Sequence, residues 1–156
     1  MDCSFLAGSG VFNYRVGGII RQGDRILLMK NSRDDFYYSP GGRVKFGESL
    51  EEALARELVE ELGQFPRLEG LAFIHESFYI SSKDGRQYHE LGFYYYLALE
   101  EPLGGGESRT SDGLRETIEL VDLDRLEELD IYPRFFKTRL YKGQSPQHIV
   151  EEYYWK

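Results

Sequence analysis

The order of apolar and polar positions along the chain predicts strands, one well-marked helix and a helical C-terminal third. "VFNYRVGGIIRQGDRILLMKN", residues 11–31, holds two apolar runs rich in β-branched residues around the turn signal Gln22-Gly23-Asp24, the pattern of a hairpin. "LAFIHESFYIS" and "YHELGFYYYLALE" predict two further strands joined by the polar turn "SKDGRQ". In the second of these, Phe93, Tyr95, Leu97 and Leu99 alternate with Tyr94, Tyr96 and Ala98, so both faces are apolar. Such a strand belongs mid-sheet, covered on both sides. "EPLGGGESRTSDG", residues 101–113, is glycine-rich and polar and predicts a long exposed loop, after which "TIELVDL" resumes as strand. Beyond it the pattern predicts one helix with Asp122 as N-cap and another beginning at Pro133, where Phe136 and Leu140 stand four apart.

The best-marked helix lies in "GGRVKFGESLEEALARELVEELG", residues 41–63: Ser49 with Glu52 forms a capping box, and Gly63 followed by Pro66 ends the helix. Around its axis Leu54, Ala55, Leu58, Val59 and Leu62 cover one side, while Glu57, Glu60 and Glu61 fall together on a solvent-facing side. Glu57 and Glu61 are a like-charge pair at i,i+4, and Arg56 precedes Glu60 in the weaker orientation, so the cluster calls for positive charge from outside the helix. Hard carboxylate oxygens gathered this way suit Mg²⁺ or Mn²⁺, which keep waters and substrate phosphates in their remaining positions. The glycines Gly41 and Gly42 just before it let a backbone approach a ligand closely.

Length and composition narrow the function. A chain of 156 residues, 41% apolar and 15% aromatic, is the size of one domain with a proper core, and neither an internal repeat nor a linker divides it. The net charge of −8 speaks against a nucleic-acid or anionic-membrane surface. No stretch approaches the ~20 apolar residues of a membrane span, and the N-terminus lacks the marks of an export signal. The single cysteine, Cys3, cannot close an internal disulfide, and the expected location is the cytoplasm.

Gly42, five residues, Glu48, seven residues, then Arg56-Glu57-Leu58-Val59-Glu60-Glu61-Leu62-Gly63 resembles the signature box of the Nudix hydrolase family, MutT-like, with all seven fixed letters in place. One position departs: the box ends in an aliphatic residue, and here that residue is Gln64. The resemblance implies an α/β fold over residues 1–156, a mixed β-sheet sandwiched between α-helices, with the box forming a loop, helix and loop around divalent metal. It also implies a pyrophosphatase, cleaving the diphosphate of a nucleoside diphosphate derivative by water attack at phosphorus. Carried over residue by residue, Glu57, Glu60, Glu61 and the carbonyl of Gly41 are the implied ligands of Mg²⁺ or Mn²⁺. Glu48 and Arg56 support them, the arginine by orienting a box glutamate. Glu61 is the first choice of proton acceptor, and Glu107, Asp112 and Glu116 are alternatives from a downstream loop.

The moiety attached to the diphosphate must be read outside the box. Phe36, Tyr37, Tyr38, Tyr79, Tyr88 and Tyr94 could stack on a nucleobase, with Tyr38 and Tyr79 the leading choices. Arg15, Arg33 and Arg109 could reach phosphate or base, Gly42 could admit a phosphate, and His89 is a candidate substrate contact. His75, His89 and His148 show no metal-ligand spacing. Dinucleoside-polyphosphate members carry a tyrosine at about the position of Tyr79, whereas the proline of ADP-ribose members is absent. Nucleoside triphosphates, dinucleoside polyphosphates and nucleotide sugars all remain as substrates, and a homodimer is compatible with the sequence. The alternatives are a non-catalytic nucleotide-binding sensor and a protein-interaction domain with an acidic helix; a metal titration and a turnover assay separate the three.

Overall fold

The computed structural model describes residues 1–103 and 113–153 and the backbone of 107–109. Its strands, in chain order, are β1 (Ser4–Ala7), β2 (Gly10–Gln22), β3 (Arg25–Asn31), β4 (Tyr37–Tyr38), β5 (Gly41–Arg43), β6 (Arg67–Ile80), β7 (Gln87–Ala98), β8 (Glu107–Arg109), β9 (Arg115–Asp122), β10 (Ile131–Tyr132) and β11 (Gln147–Tyr153), with one α-helix, α1 (Leu50–Leu62). They form a single mixed sheet: β2 and β7 run parallel, β6 and β7 antiparallel, and β11 parallel to β6.

The two expected hairpins are present, β2 to β3 turning at Gly23-Asp24 and β6 to β7 at 81–86. β7 is central, with β2 on one side and β6 on the other. Its two apolar faces feed two cores. Tyr95, Leu97 and Leu99 pack with Val16, Ile20 and Met29 against Leu54 and Leu58 of α1. Tyr94 packs on the opposite side with Phe73, Phe135, Phe136 and Ile149. Alternation at period two thus decides which side chain meets which layer.

α1 begins and ends where its caps predict: Ser49 accepts from the Glu52 N–H, the Glu52 carboxylate accepts from the Ser49 N–H, and Gly63 closes the helix at φ 76°. Its buried side is Ala53, Leu54 and Leu58, whereas Val59, expected among them, is 50% exposed. The second layer corrects the expected C-terminal helices. Among the described residues it consists of two 3₁₀ turns, Leu123–Glu128 and Arg134–Lys137, and Asp122 makes no side-chain cap. Adjacent Phe135 and Phe136 are both buried. The short 3₁₀ turn places both rings in the second core, where Tyr94 meets Phe135 at 5.5 Å and Phe136 at 5.6 Å.

β11 was not expected as a strand, because its alternation is inverted: Glu151 is half-buried while Val150 is 60% exposed. Within the predicted loop, the backbone of Glu107–Arg109 pairs with β9 as strand β8. No helix among the described residues is long and apolar enough to cross a membrane.

Candidate active site

The box is held from inside by Arg56. Its guanidinium grips Glu48 in bidentate fashion, Nε to Oε1 at 2.6 Å and Nη2 to Oε2 at 2.9 Å, and Nη1 donates to Glu57 Oε1 at 2.7 Å. Nη2 also donates to the Arg43 carbonyl at 3.0 Å. Glu48 in turn accepts the Lys45 N–H at 2.9 Å. One arginine therefore ties the loop before α1 to the first box glutamate. Charge-assisted bonds of this kind hold the Glu48 carboxyl down, to about 2.

Gly42 leaves room for that glutamate: a Cβ there would stand 2.3 Å from the Glu57 carboxyl carbon. Gly41 is constrained differently, at φ 143° with a Cβ site 2.2 Å from the Val16 carbonyl oxygen. Its N–H donates to Glu61 Oε2 at 3.2 Å.

The three carboxylates have unlike surroundings, which corrects the expectation of a uniformly solvent-facing trio. Glu60 is the exposed one, with 59% of its side chain accessible and Arg56 Nη1 at 3.8 Å. Glu57 is only 16% accessible, and burial raises its carboxyl against the pull of Arg56. Glu61 is pushed up to about 8 by burial, with Glu57 and Glu116 adding to the shift while Arg15 and the Gly41 N–H oppose it. Among the described residues no three acidic, histidine or cysteine side chains form a ready-made metal cage; Glu57 accepts from Arg56 and Glu61 from the Gly41 N–H. The donor chemistry nonetheless fits a hard cation: two half-buried carboxylates and an exposed third within one and a half turns of the helix.

Beside this face opens a cleft of about 520 Å³. Arg15 stands at the junction, donating to the Ser39 carbonyl at 3.3 Å and lying within the electrostatic reach of Glu61 and Glu90. Burial alone would lower its guanidinium, but Tyr94, Glu90, Glu61 and Tyr79 hold it above its ordinary value. Phe36, Tyr38, Tyr79, Tyr88 and Tyr94 of the aromatic candidates line the cleft, as does Arg33. Tyr37 does not; its hydroxyl donates to Glu119 at 2.7 Å. Tyr79 and Tyr88 stack at 5.2 Å and 9°.

His89 is not brought to the cleft. It is exposed, with its ring against Phe78 at 4.5 Å and Phe12 at 5.4 Å. It stands one residue out of phase with Glu90, Gly92 and Tyr94, and strand alternation sends it to the other face. Glu116, expected on a loop, lies at 8% exposure in β9, accepts the Tyr38 hydroxyl at 2.5 Å and lines the cleft. Asp112 and the side chains of Glu107 and Arg109 lie outside the described residues.

Residues the sequence reading passed over complete the wall. Asn13 Nδ2 donates to Glu90 Oε2 at 2.7 Å, and the Tyr79 hydroxyl donates to the same oxygen at 3.2 Å. His75 Nε2 meets Glu151 Oε1 at 2.9 Å. Their signal in the sequence is a polar residue in phase with inward apolar ones, as Glu90 is with Tyr94.

Comparison with known proteins agrees with this geometry. The family model of the NUDIX domain matches residues 11–141. A relative from Methanocaldococcus jannaschii, "ADP-ribose pyrophosphatase", is 34% identical over 117 residues, covering 73% of this chain and 64% of its own length, so the chain spans slightly less than two thirds of that relative. Among solved structures, a MutT protein from Bacillus halodurans superposes with a TM-score of 0.62 at 22% identity, over 85% of this chain and 84% of that one. A MutT NUDIX hydrolase from Burkholderia pseudomallei gives 0.59 at 25% identity, over 83% and 98%. With the family model spanning most of the chain, the fold around it shared and the box residues locked together by Arg56, the protein belongs to the NUDIX domain family.

Proposed function

We propose that the protein hydrolyses the diphosphate linkage of a nucleoside diphosphate derivative in the cytoplasm. Mg²⁺ or Mn²⁺ would be held by Glu57, Glu60, Glu61 and the Gly41 carbonyl. The observation that carries this reading is the meeting of two unlike surfaces at Arg15: a carboxylate-bearing helix face and an aromatic cleft of about 520 Å³. A bound divalent ion supplies positive charge that a chain of net charge −8 lacks, polarises phosphoryl oxygens and acidifies water.

The chain's own residues do the rest. Arg15 orients a phosphoryl oxygen, and Gly42 leaves the approach to Glu57 open. Arg56 fixes Glu57 so that its carboxylate is aimed before substrate arrives. Glu61 accepts the proton of the attacking water as the new bond to phosphorus forms and the bond from phosphorus to the bridging oxygen breaks, releasing two phosphate-bearing products. Glu116, buried beside the cleft, is the second candidate base. Tyr38 and Tyr79 line the side where the attached moiety would lie. The relative named for ADP-ribose supports keeping that compound among the substrates, beside nucleoside triphosphates and dinucleoside polyphosphates, despite the missing proline.

The test is product analysis over a panel of nucleoside diphosphate derivatives with Mg²⁺, Mn²⁺ or chelator, wild type beside Glu61→Gln. Metal-dependent cleavage by the wild type, reduced about 10²- to 10⁴-fold in a folded Glu61→Gln, is the expected result. Binding with no turnover of any compound would replace the hydrolase with a sensor.

A further inference from the structure

Three buried side-chain atoms, Asn13 Oδ1, Ser39 Oγ and His75 Nδ1, have no hydrogen-bond partner among the described residues, and all three residues line the same cleft; Asn13 Oδ1 and His75 Nδ1 are the two that can only accept. Buried polar atoms left unpaired are rare and call for a ligand or water. Asn13 is oriented by Glu90, which takes the amide N–H and leaves the carbonyl oxygen over.

His75 is fixed more completely. It is 2% exposed, and its ring is wedged edge-on against Phe135 at 4.9 Å and Tyr94 at 5.9 Å. Its Nε2 meets Glu151 Oε1 at 2.9 Å, and that same oxygen also accepts the Tyr153 hydroxyl. Tyr153 is held in turn by the Arg134 N–H at 3.1 Å. The Glu151 carboxyl is lowered: burial would raise it, but the bonds from His75 and Tyr153 outweigh burial, so it stands as a carboxylate that only accepts. In the neutral imidazole Nε2 is then the nitrogen that carries the hydrogen, and Nδ1 is the acceptor. The strand register makes the arrangement rigid, since Glu151 on β11 sits opposite Ser77, two residues from His75 on β6.

We propose that His75 is a specificity-determining residue whose Nδ1 accepts a hydrogen bond from an exocyclic amino group of the substrate's nucleobase, with Glu151 as the residue that positions it. This rests on the cleft's being the substrate site of the proposed hydrolase. The class of base follows from the chemistry. An amino group supplies the donor that Nδ1 lacks, whereas an oxo group in its place sets acceptor against acceptor. The rings of Phe36, Tyr79 and Tyr88 favour a planar heterocycle over a bare sugar, whose hydroxyls could also donate.

The experiment is calorimetric binding of nucleoside monophosphates in metal-free buffer, in the matched pairs AMP against IMP, GMP against IMP and CMP against UMP, with ribose 5-phosphate as the sugar-only arm. The expected result is an amino member bound roughly tenfold or more tighter than its counterpart in at least one pair. His75→Phe, which keeps the ring packing, abolishes that ratio. Glu151→Gln, which retains the imidazole, reduces it while shifting the ¹⁵N signature of the His75 tautomer and leaving ribose 5-phosphate binding unchanged; this variant decides the matter if His75→Phe does not fold. Equal binding within every pair, a ratio that survives in both variants, or ribose 5-phosphate bound as tightly as the nucleotides would overturn the proposal. Since the readout is binding without metal, a chain that never turns over can pass it, and an active hydrolase can fail it.

Discussion

The box wall and the cleft wall of the site are built in opposite ways. In the box wall, Gly41, Gly42, Glu48, Arg56, Glu57 and Glu61 lie within 21 consecutive positions, and a helix repeat with one arginine brings them together. In the cleft wall, Asn13 and Glu90 are 77 positions apart and His75 and Glu151 are 76 apart, and each pair meets only because β2, β7, β6 and β11 lie side by side. The lesson is chemical as well as geometric. On the function proposed above, the local wall would hold and cleave the diphosphate common to many attached moieties, and the non-local wall would tell one moiety from another.

That division can be broken most forcefully at Arg56. Arg56→Lys keeps a charge but loses the fork that spans Glu48 and Glu57, and kcat/KM should fall roughly 10- to 100-fold, as for other residues that orient ligating groups. The loss should be the same for every substrate, with discrimination among nucleobases untouched. A panel measurement in which Arg56→Lys changed the order of substrates would show that the two walls are not separable.

The neighbouring glycines sharpen the comparison within the box wall itself. Gly41→Ala places a Cβ 2.2 Å from backbone in a conformation strained for any L side chain, and should cost about 1–3 kcal/mol of stability in denaturant unfolding. Gly42→Ala meets only the tip of Glu57, which can swing away. It should leave stability nearly intact and show its effect in turnover. Similar unfolding midpoints for the two variants would contradict this assignment.

The last test concerns Glu61 without metal. Its folded-state carboxyl lies near 8 against an ordinary 4.5, so the folded protein binds the extra proton in that window and the ionised form is penalised. Stability of chelator-treated protein should therefore decline as pH rises from about 4.5 to 8, by linkage. The slope should be shallower in Glu61→Gln, and parallel melting curves for the two across that range would remove the burial argument for this residue.

How much of this was legible beforehand follows the same line. The capping box of α1, its Gly63 terminus, both hairpins and the two-faced β7 were readable because each is written in neighbouring residues at period 3.6 or 2. The 3₁₀ turns and β11 were not, because Phe135 and Phe136 are both buried and Glu151 turns inward for reasons that lie in the opposing layer. Val59 was misplaced by the same cause: a wheel says which residues share a side, and only the sheet beneath says how wide the covered side is. His89 and His75 are the sharpest pair, equal as letters. One residue of strand phase puts the first outside, and a partner 76 positions away gives the second its tautomer.

The sequence by itself determined the family, the box helix and the carboxylates on it, since those depend on spacing along a single turn-by-turn repeat. Tertiary structure decided that Glu60 stands in solvent while Glu57 and Glu61 do not, that Arg15 joins the two walls, and that three residues with unpaired buried atoms line one cleft. Burial and long-range pairing set these properties, and both are sums over distant residues that no local pattern contains.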